Sequence, residues 1–478
     1  MNIIRFLKPS ATFLITAILF TSIGGCKQSD KIKPNIVFIF MDDLGWTDLG
    51  YAGSDYYETP AIDQLASQGL IFTNAYSNAA NCAPTRASLL TGQYSPRHGV
   101  FTVGVSTRGK SEYRRLIPTI NSKEISFEKI TIAESLKKAG YVSAAIGKWN
   151  VGNTPEEHGF DYAIDRGELG IRGHFGKNDE YLADRLTDEA ISFIKENNPK
   201  ITGKPFFVYL AHHAVHTPIQ AKEEYIAEFK MKDPSGCHDN ATYAAMIKSV
   251  DESVARINAT LNDLDISKNT MLVFYSDNGG HGTYTCQKPL RGGKGMFYEG
   301  GIRVPMVVYW PGTVKPGGNC DEAVIGTDFY PTFLELAGLS NPENYTLDGQ
   351  SILPMIKGKK VSTREPLFWH FPSYLQSYAG LKDESRDTIF RARPVSVIRK
   401  GDWKLLMFHE EWGLDGGIGN MQNNNSIELY NLKDDIGEKN NLALKNTEKR
   451  DELLRALMHW QEEIQAPIPS VANPDYQK

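Results

Sequence analysis

The segment at residues 81–92, Asn-Cys-Ala-Pro-Thr-Arg-Ala-Ser-Leu-Leu-Thr-Gly, places a thiol close to a guanidinium. Pro84 suits the first turn of a helix, where no backbone donor is lost, and Gly92 suits its end. Cys82 is then expected at the positive end of the helix, and Arg86 one turn later on the same face. This arrangement favours chemistry on an oxyanion. The alternative is a buried structural thiol.

Two pairs of oxygen-bearing side chains follow apolar runs of strand length. Residues 35–41 have the pattern of a strand covered on both faces and lead into Asp42 and Asp43. Residues 270–276 lead into Asp277 and Asn278. Carboxylates at the carboxyl ends of buried strands lie where α/β sheets bind ligands, and a hard cation such as calcium or magnesium relieves their repulsion. The alternatives are a solvated acidic turn and an Asn-Gly turn.

One lysine is placed after a predicted strand, where it can neutralise an anion, and a second lies in a glycine-rich segment. Lys148 follows a strand predicted over residues 141–146, and Asn150 lies two positions later. Lys294 lies in a glycine-rich segment at residues 288–305. That segment lacks the spacing of a nucleotide-binding loop, so phosphate binding of that kind is not expected.

Three histidines follow a strand predicted over residues 205–210. They are His212, His213 and His216. Three histidines can bind zinc, but no matching pattern of cysteines or carboxylates accompanies them. We therefore interpret His212 and His213 as structural or supporting residues, and we keep His213 as a candidate for proton transfer.

Length and charge restrict the class of protein. A chain of 478 residues exceeds what one hydrophobic core usually organises, so a large and a smaller domain are expected. A net charge of -5 argues against a general nucleic-acid binder, and affinity for a polyanion must come from local basic patches. Cys237, Cys286 and Cys320 permit one disulfide, but their spacing does not define the pairing.

The first 25 residues have the charged start, apolar run and small residues of a secretory signal. Residues 23–26, Ile-Gly-Gly-Cys, resemble the bacterial lipobox, so Cys26 is a candidate for lipidation and residues 26–33 for a tether. A plain signal peptide with a chance cysteine is the alternative. We expect a bacterial envelope protein anchored by lipid in the periplasm or on the outer-membrane surface.

Together these motifs resemble the formylglycine-dependent type I sulfatases. The resemblance is carried by Cys-Ala-Pro-Thr-Arg at residues 82–86 with Leu-Thr-Gly at residues 90–92, and by the opening PNIVFIFMDDLGWTDLG. It continues through Gly-Lys-Trp, His-Thr-Pro, Gly-Lys-Gly with a later Glu-Gly-Gly, and the C-terminal WKLLMF and ELYNLKDDIGEKNNLA. These segments stand in family order from about residue 33 to beyond residue 444.

The resemblance implies a fold and a division into domains. The fold is an alkaline phosphatase-like α/β/α sandwich with a large, mostly parallel mixed sheet. It is followed by a smaller C-terminal α+β domain with a short antiparallel sheet. The implied domains are a signal peptide at 1–25, a tether at 26–33, a catalytic domain at 34–365 and a C-terminal subdomain at 366–478.

The resemblance also implies roles for individual residues. In the family, the cysteine is oxidised to formylglycine by a maturing enzyme, and the aldehyde hydrate is the nucleophile; here that residue is Cys82. The implied calcium ligands are Asp42, Asp43, Asp277 and Asn278, together with residue 82. Arg86, Lys148 and Lys294 are implied to offset charge on the sulfate, and His216 is implied to protonate the leaving oxygen.

Asn150 is the one clear departure from the family pattern, which has histidine there. An amide can hydrogen-bond the aldehyde hydrate, but it cannot accept a proton near neutral pH. This departure keeps open a catalytically silent glycan-binding lipoprotein. A phosphodiesterase or phosphonate hydrolase of the same superfamily is the other alternative.

Substrate recognition is the least defined expectation. The implied substrate is a sulfated polysaccharide, such as a glycosaminoglycan or an algal galactan, from which sulfate is removed at chain ends. The basic segment at residues 101–123 is either a solvated face or a lip that gathers a sulfated polymer. An aromatic ring near residue 369 can stack on a sugar, although packing between domains is the alternative. The substrate-binding candidates are Arg108, Arg115, Arg172, His174, His213, Trp369 and His370.

Overall fold

The structure of the protein is a computed structural model, which describes residues 33–359, 364–378 and 384–477 together with Met1. Residues 2–32 lie outside the described residues. They include Cys26 and hold the predicted signal and most of the predicted tether. None of the helices in the described part of the chain combines the length and apolarity needed to cross a bilayer.

Strands and helices alternate along the first two thirds of the chain, as the apolar pattern predicts. Within the described ranges the strands are β1 Asn35–Met41, β2 Leu70–Phe72, β3 Ala75–Tyr76, β4 Val142–Gly147, β5 Tyr162–Ile164, β6 Phe206–Ala211, β7 Thr270–Ser276, β8 Met306–Tyr309, β9 Gly318–Cys320, β10 Val324–Ile325, β11 Leu367–Phe371, β12 Leu375–Gln376, β13 Phe390–Ala392, β14 Val395–Lys400, β15 Trp403–Phe408 and β16 Ile427–Asn431. The α-helices there are α1 Pro60–Gln68, α2 Cys82–Thr91, α3 Ser95–His98, α4 Ile132–Lys138, α5 Leu182–Glu196, α6 Pro199–Thr202, α7 Glu223–Lys230, α8 Ala241–Asp263, α9 Glu299–Ile302, α10 Phe329–Ala337, α11 Leu353–Ile356, α12 His409–Leu414 and α13 Thr447–Glu463.

The central sheet is mixed but mostly parallel, as predicted. Its strand order is β5-β4-β6-β1-β7-β8-β2-β9. The five strands from β5 to β7 run parallel, β8 is antiparallel to both of its neighbours, and β9 is parallel to β2. The carboxyl ends of β4, β6, β1 and β7 therefore meet at one edge.

Helices pack against both faces of this sheet. Successive side chains of a strand point to opposite faces, so an apolar strand needs a packing partner on each side. Phe38 of β1 packs edge-on against Phe329 of α10, with ring centroids 4.8 Å apart. Val37 belongs instead to the apolar core on the other face, together with Val250 of α8. All seven residues of β1 are buried. This two-sided burial confirms the predicted α/β/α sandwich.

The last third of the chain contains a second, smaller sheet. It has the order β11-β14-β15-β16 and is antiparallel throughout. Helix α13 packs on it, and Leu453 and Leu457 of that helix join Leu405 of β15 in one apolar core. This is the predicted C-terminal α+β arrangement, whose boundary at residue 365 stays a prediction.

Residues 70–76 form two strands and not the single strand that their apolar content indicates. The chain turns at Thr73 and Asn74, between β2 and β3. There the Thr73 hydroxyl donates to the carboxylate of Asp321, and the Asn74 amide donates to the backbone carbonyl of Asp321. Strand β2 then stays in the central sheet while β3 pairs with β10. The turn redirects the chain toward Cys82.

One disulfide joins Cys237 to Cys286, whose Cα atoms are 6.1 Å apart. Cys82 and Cys320 are free. The sequence alone left this pairing open.

A buried ion-paired triad links the C-terminal sheet to the rest of the chain. Lys404 of β15 lies 3.0 Å from Glu299 Oε1 and 2.8 Å from Glu438 Oε1, and all three side chains are fully buried. Burial raises the pKa of Glu438 against the lowering effect of Lys404. At Glu299 burial also acts to raise the pKa, but Lys404 and Arg303 outweigh it. The single ammonium thus holds two carboxylates in the interior.

Lys404→Met is expected to destabilise the protein by about 3–5 kcal/mol, because it leaves buried Glu438 without a counter-charge and removes one of the two cations paired with buried Glu299. Urea unfolding followed by circular dichroism measures the change. Lys400→Met on the preceding strand is the matched control, since Lys400 pairs with Glu452 at the surface and should matter by about 0.5 kcal/mol at most. Equal stability of the two variants would contradict this assignment.

Candidate active site

The polar residues singled out in the sequence converge at the carboxyl edge of the central sheet. Each follows one of four adjacent parallel strands, whose ends meet there. Lys148 follows β4, His213 and His216 follow β6, Asp42 and Asp43 follow β1, and Asp277 and Asn278 follow β7.

Asp42 and Asp43 lie at the centre of this group and are fully buried. Asp42 Oδ2 forms a short ion pair with Lys148 Nζ, and Asp43 Oδ2 lies 2.6 Å from Lys294 Nζ. Asn278 Nδ2 donates to Asp43 Oδ1 over 2.9 Å. Two ammonium groups and an amide therefore face the adjacent carboxylates.

The carboxylates differ in how well their charge is compensated. Burial acts to raise the pKa of Asp42, but Lys148, His216 and Arg86 hold it well below its usual value. The pKa of Asp43 is also lowered, since Lys294 and His216 outweigh burial. Burial and the charge of Asp42 raise the pKa of Asp277 in spite of Arg86. Asp277 is therefore the carboxylate of this cluster whose charge is least stabilised.

Two buried oxygens of this cluster lack a hydrogen-bond partner among the described residues. They are Asp42 Oδ1 and Asn278 Oδ1. Buried polar atoms are normally paired, so two orphaned oxygens at one place indicate a missing cation or water. Ligand atoms of Asp42, Cys82 and Asp277 all lie within 4.8 Å of one another. The donors are mostly oxygen, and they fit a hard cation of the calcium or magnesium type.

Cys82 is the first residue of α2 and faces this cluster. Its side chain is 2% exposed, and Asn150 Nδ2 lies 3.4 Å from its Sγ. Gly92, with φ of 68°, closes the helix as its sequence predicts. Burial raises the pKa of the thiol, against the lowering effect of Lys148. A thiol held in its protonated form is a poor nucleophile, so Cys82 is not set up to react as a thiolate.

Arg86 lies beneath the cavity and does not line it. Its guanidinium is fully buried and donates to Asp277 Oδ2 from Nε and Nη2, over 3.1 and 2.7 Å. Nη1 donates to the carbonyl of Lys148 over 2.8 Å. Arg86 follows Cys82 by one helical turn, as expected. Its guanidinium, however, orients Asp277 and the loop after β4.

A cavity of about 400 Å³ opens above Cys82. His216 Nδ1 donates to the carbonyl of Thr217 over 2.7 Å, which leaves Nε2 on the side of Asp43, 3.8 Å from Oδ2. His213 Nε2 pairs with Asp165 Oδ1 over 2.5 Å. The residues that line the cavity are Asn81, Cys82, Val103, Arg108, Lys148, Asn150, Arg166, His213, His216, Thr217, His281, Lys294, Tyr378 and Arg391.

Of the seven substrate-binding candidates, Arg108 and His213 line the cavity and the other five do not. Arg115 is ion-paired with Asp415 over 2.6 Å, and Arg172 is exposed elsewhere. His174 is buried, and its Nε2 lies 3.0 Å from the carbonyl of His216, so it supports that loop.

The aromatic pair at the junction is also enclosed. Trp369 is buried and donates to the carbonyl of Ser77 over 2.7 Å, and His370 is buried against Ser396 and the carbonyl of Pro467. Neither reaches a sugar in the cavity, because packing between the two parts of the chain has enclosed both rings.

Sequence reasoning missed four residues of the cavity wall. They are Arg166, His281, Tyr378 and Arg391. His281 stands three positions after Asn278, and this closeness to a predicted metal ligand could have identified it from the sequence. Tyr378 follows β12 and Arg391 lies on β13, which pairs with β12, and nothing local in the sequence places these two strands at the cavity.

The sheet and the oxygen cluster at its carboxyl edge define a hydrolase of alkaline phosphatase-like fold. Residues 34–339 match the model of the Sulfatase family, and residues 292–466 match the model described as N-sulphoglucosamine sulphohydrolase, C-terminal. The chain belongs to the sulfatase family and is a sulfatase, an enzyme that hydrolyses sulfate esters.

Individual relatives agree with this assignment. The chain is 33% identical to a sulfatase of Formosa agariphila, over 92% of this chain and 90% of that protein. It is 30% identical to the N-acetylgalactosamine-6-sulfatase of Mus musculus, over 74% of this chain and 72% of that protein. The crystal structure of Ps i-CgsB in complex with k-i-k-neocarrahexaose has a TM-score of 0.72 at 30% identity, covering 92% of this chain and 95% of that one.

Proposed function

We propose that this sulfatase removes O-sulfate from a sulfated carbohydrate by means of formylglycine at position 82 and a calcium ion. The observation that carries the proposal is the position of Cys82, which faces the oxygen cluster and two lysines at the floor of one cavity. Two of the relatives support a saccharide substrate, since one is named an N-acetylgalactosamine-6-sulfatase and the other was crystallised in complex with k-i-k-neocarrahexaose.

Two components have to be supplied to this chain. Oxidation of Cys82 by a maturing enzyme provides an aldehyde whose hydrate is an oxygen nucleophile toward sulfur. Asp42, Asp43, Asp277, Asn278 and residue 82 would hold the calcium ion, which would supply positive charge at the cavity floor when bound; the same donors fit magnesium.

The cationic side chains of the chain bind and orient the sulfate. Lys148 and Lys294 line the cavity on either side of the carboxylates and face Cys82, so they are placed to offset charge that develops on the transferring group. His216 presents Nε2 toward the cavity and is placed to give a proton to the departing alcohol oxygen.

Asn150 holds residue 82 without acting as a base. Its amide contacts Sγ of Cys82 and, with φ of 59°, it occupies a left-handed backbone position that asparagine tolerates well. It can donate to an oxygen of the aldehyde hydrate, but proton removal has to come from another group. His213, which lines the cavity and is oriented by Asp165, is a candidate for this proton transfer.

We also propose that the enzyme works in the cell envelope, held by a lipid at Cys26. The signal-like first 25 residues and the lipobox support this location. The Cys237–Cys286 disulfide adds support, because such bonds persist in oxidising compartments.

The function is tested by comparing the release of sulfate and phosphonate by the matured enzyme. We expect hydrolysis of N-acetylgalactosamine 6-sulfate, sulfated neocarra-oligosaccharides or phenyl sulfate, with at least one kcat/KM about 100-fold above that for phenyl phenylphosphonate. Faster phosphonate hydrolysis would favour the phosphonate hydrolase alternative. Tight binding of sulfated saccharides without any turnover would favour the silent glycan-binding alternative.

A further inference from the structure

The wall of the cavity built by the β12–β13 hairpin carries a buried arginine without a carboxylate partner. Arg391 of β13 is 5% exposed and lines the cavity. Its Nε donates to the carbonyl of Gln376 over 3.0 Å, and its Nη1 donates to the carbonyl of Lys294 over 3.2 Å. No described carboxylate forms an ion pair with it. Burial accordingly lowers the pKa of this guanidinium.

Neighbouring arginines of the same segment are fully compensated. Arg386 pairs with Glu411 and Glu428, and Arg393 pairs with Asp387 and Glu410. A buried charge is costly unless it is paired, so the exception at Arg391 requires an explanation. A ligand that brings its own negative charge into the cavity is the simplest one.

The guanidinium of Arg391 is held in place before any ligand arrives. It stacks on Tyr378 at 3.5 Å from the ring centroid, and Tyr378 in turn stacks on His281 with centroids 4.0 Å apart. Gly295 lies directly beneath with φ of 90°, and a Cβ there would come within 3.0 Å of Arg391 Cδ. Arg391 is therefore fixed beside the backbone of Lys294, the lysine that we propose to bind the sulfate that is cut.

A second arginine meets Arg391 at Gln376. Arg108 lines the cavity and donates from Nε to Gln376 Oε1 over 3.2 Å, while the carbonyl of the same glutamine binds Arg391. Among the described residues that line the cavity, none is an aspartate or a glutamate. The two like charges on this wall are left for a bound anion to neutralise.

We propose that Arg391 and Arg108 form a subsite for a second anionic group of the substrate, a sulfate or a carboxylate on the same saccharide as the ester that is cut. The inference rests on the proposed function and narrows its substrate class to multiply anionic saccharides. A guanidinium fork binds either oxyanion with two parallel hydrogen bonds, which a neutral hydroxyl cannot match.

The test is a calorimetric titration of calcium-loaded Cys82→Ala protein, in which the sulfate esters stay intact. The ligands are phenyl sulfate, the 1,3- and 1,4-phenylene disulfates, and 3- and 4-sulfooxybenzoate. We expect at least one doubly anionic ligand to bind about 10- to 100-fold more tightly than phenyl sulfate. Preference for the disulfates assigns the subsite to sulfate, and preference for the sulfooxybenzoates assigns it to carboxylate.

Arg391→Gln, introduced into the Cys82→Ala protein, should abolish the preference for doubly anionic ligands. It should change the affinity for phenyl sulfate by less than about threefold. Arg391→Lys keeps the charge but not the fork and should give an intermediate result. If the Arg391 variants fold poorly, Arg108→Gln repeats the test, because Arg108 is partly exposed. Arg256→Gln removes an equal charge from the exposed face of α8 and should change nothing.

Equal binding of all five ligands, or a preference that survives both Arg391→Gln and Arg108→Gln, would overturn the subsite. This titration needs no turnover, so its failure would count against the subsite and not against the proposed function. Failure of the matured wild-type enzyme to release sulfate would count against the function alone.

Discussion

Replacement of Cys82 by alanine is expected to lower sulfate-ester hydrolysis by at least about 10⁴-fold while the protein stays folded. In the proposed mechanism the Cys82 thiol is the group from which the nucleophile is made. Rates of sulfate release by wild-type and variant enzyme, each expressed with a maturing enzyme, measure the effect.

The fold should survive because the Cys82 side chain is small and its one hydrogen-bond contact is the 3.4 Å approach of Asn150. Cys320→Ala is the matched control, since Cys320 is also a free thiol but lies on β9, away from the cavity. That control should retain full activity. Substantial turnover by Cys82→Ala would refute the mechanism.

Removal of the divalent ion is expected to lower kcat/KM by about 10³-fold, and added calcium should restore it. Without the ion, Asp42 Oδ1 and Asn278 Oδ1 have no hydrogen-bond partner among the described residues, and no divalent charge offsets the negative charge of a bound sulfate. Assays after dialysis against a chelator, followed by readdition of calcium or magnesium, measure both effects.

Calcium should also raise the midpoint of thermal unfolding of the chelated protein, because an ion that binds only the folded state stabilises it. Asp42→Asn should remove this shift together with activity, whereas Asp263→Asn, at the exposed end of α8, should remove neither. Full activity of the enzyme after complete metal removal would contradict the assignment of this site.

The sequence indicated the strand-end residues because their positions follow from local patterns. An apolar run such as residues 35–41 must be buried, and the polar residues after it must lie at the strand end. Once several such strands are parallel, their ends meet at one edge, and Asp42, Lys148 and Asp277 come together without further information.

Other parts of the site were beyond local reasoning. Helical spacing placed Arg86 near Cys82, but it could not reveal that the guanidinium turns down to Asp277. The aromatic character of Trp369 suggested a sugar platform, whereas packing against Tyr76 buries the ring. Arg391 reaches the cavity only because the C-terminal hairpin docks beside Gly295, a contact between distant parts of the chain.

The measurement that tests the central claim most directly is the fraction of residue 82 present as aldehyde, set against the rate of sulfate release. Peptide mass spectrometry gives that fraction for preparations matured to different extents. We predict a rate that rises in proportion to the aldehyde and vanishes with it. Full activity in a preparation whose residue 82 is entirely an unmodified thiol would contradict the account.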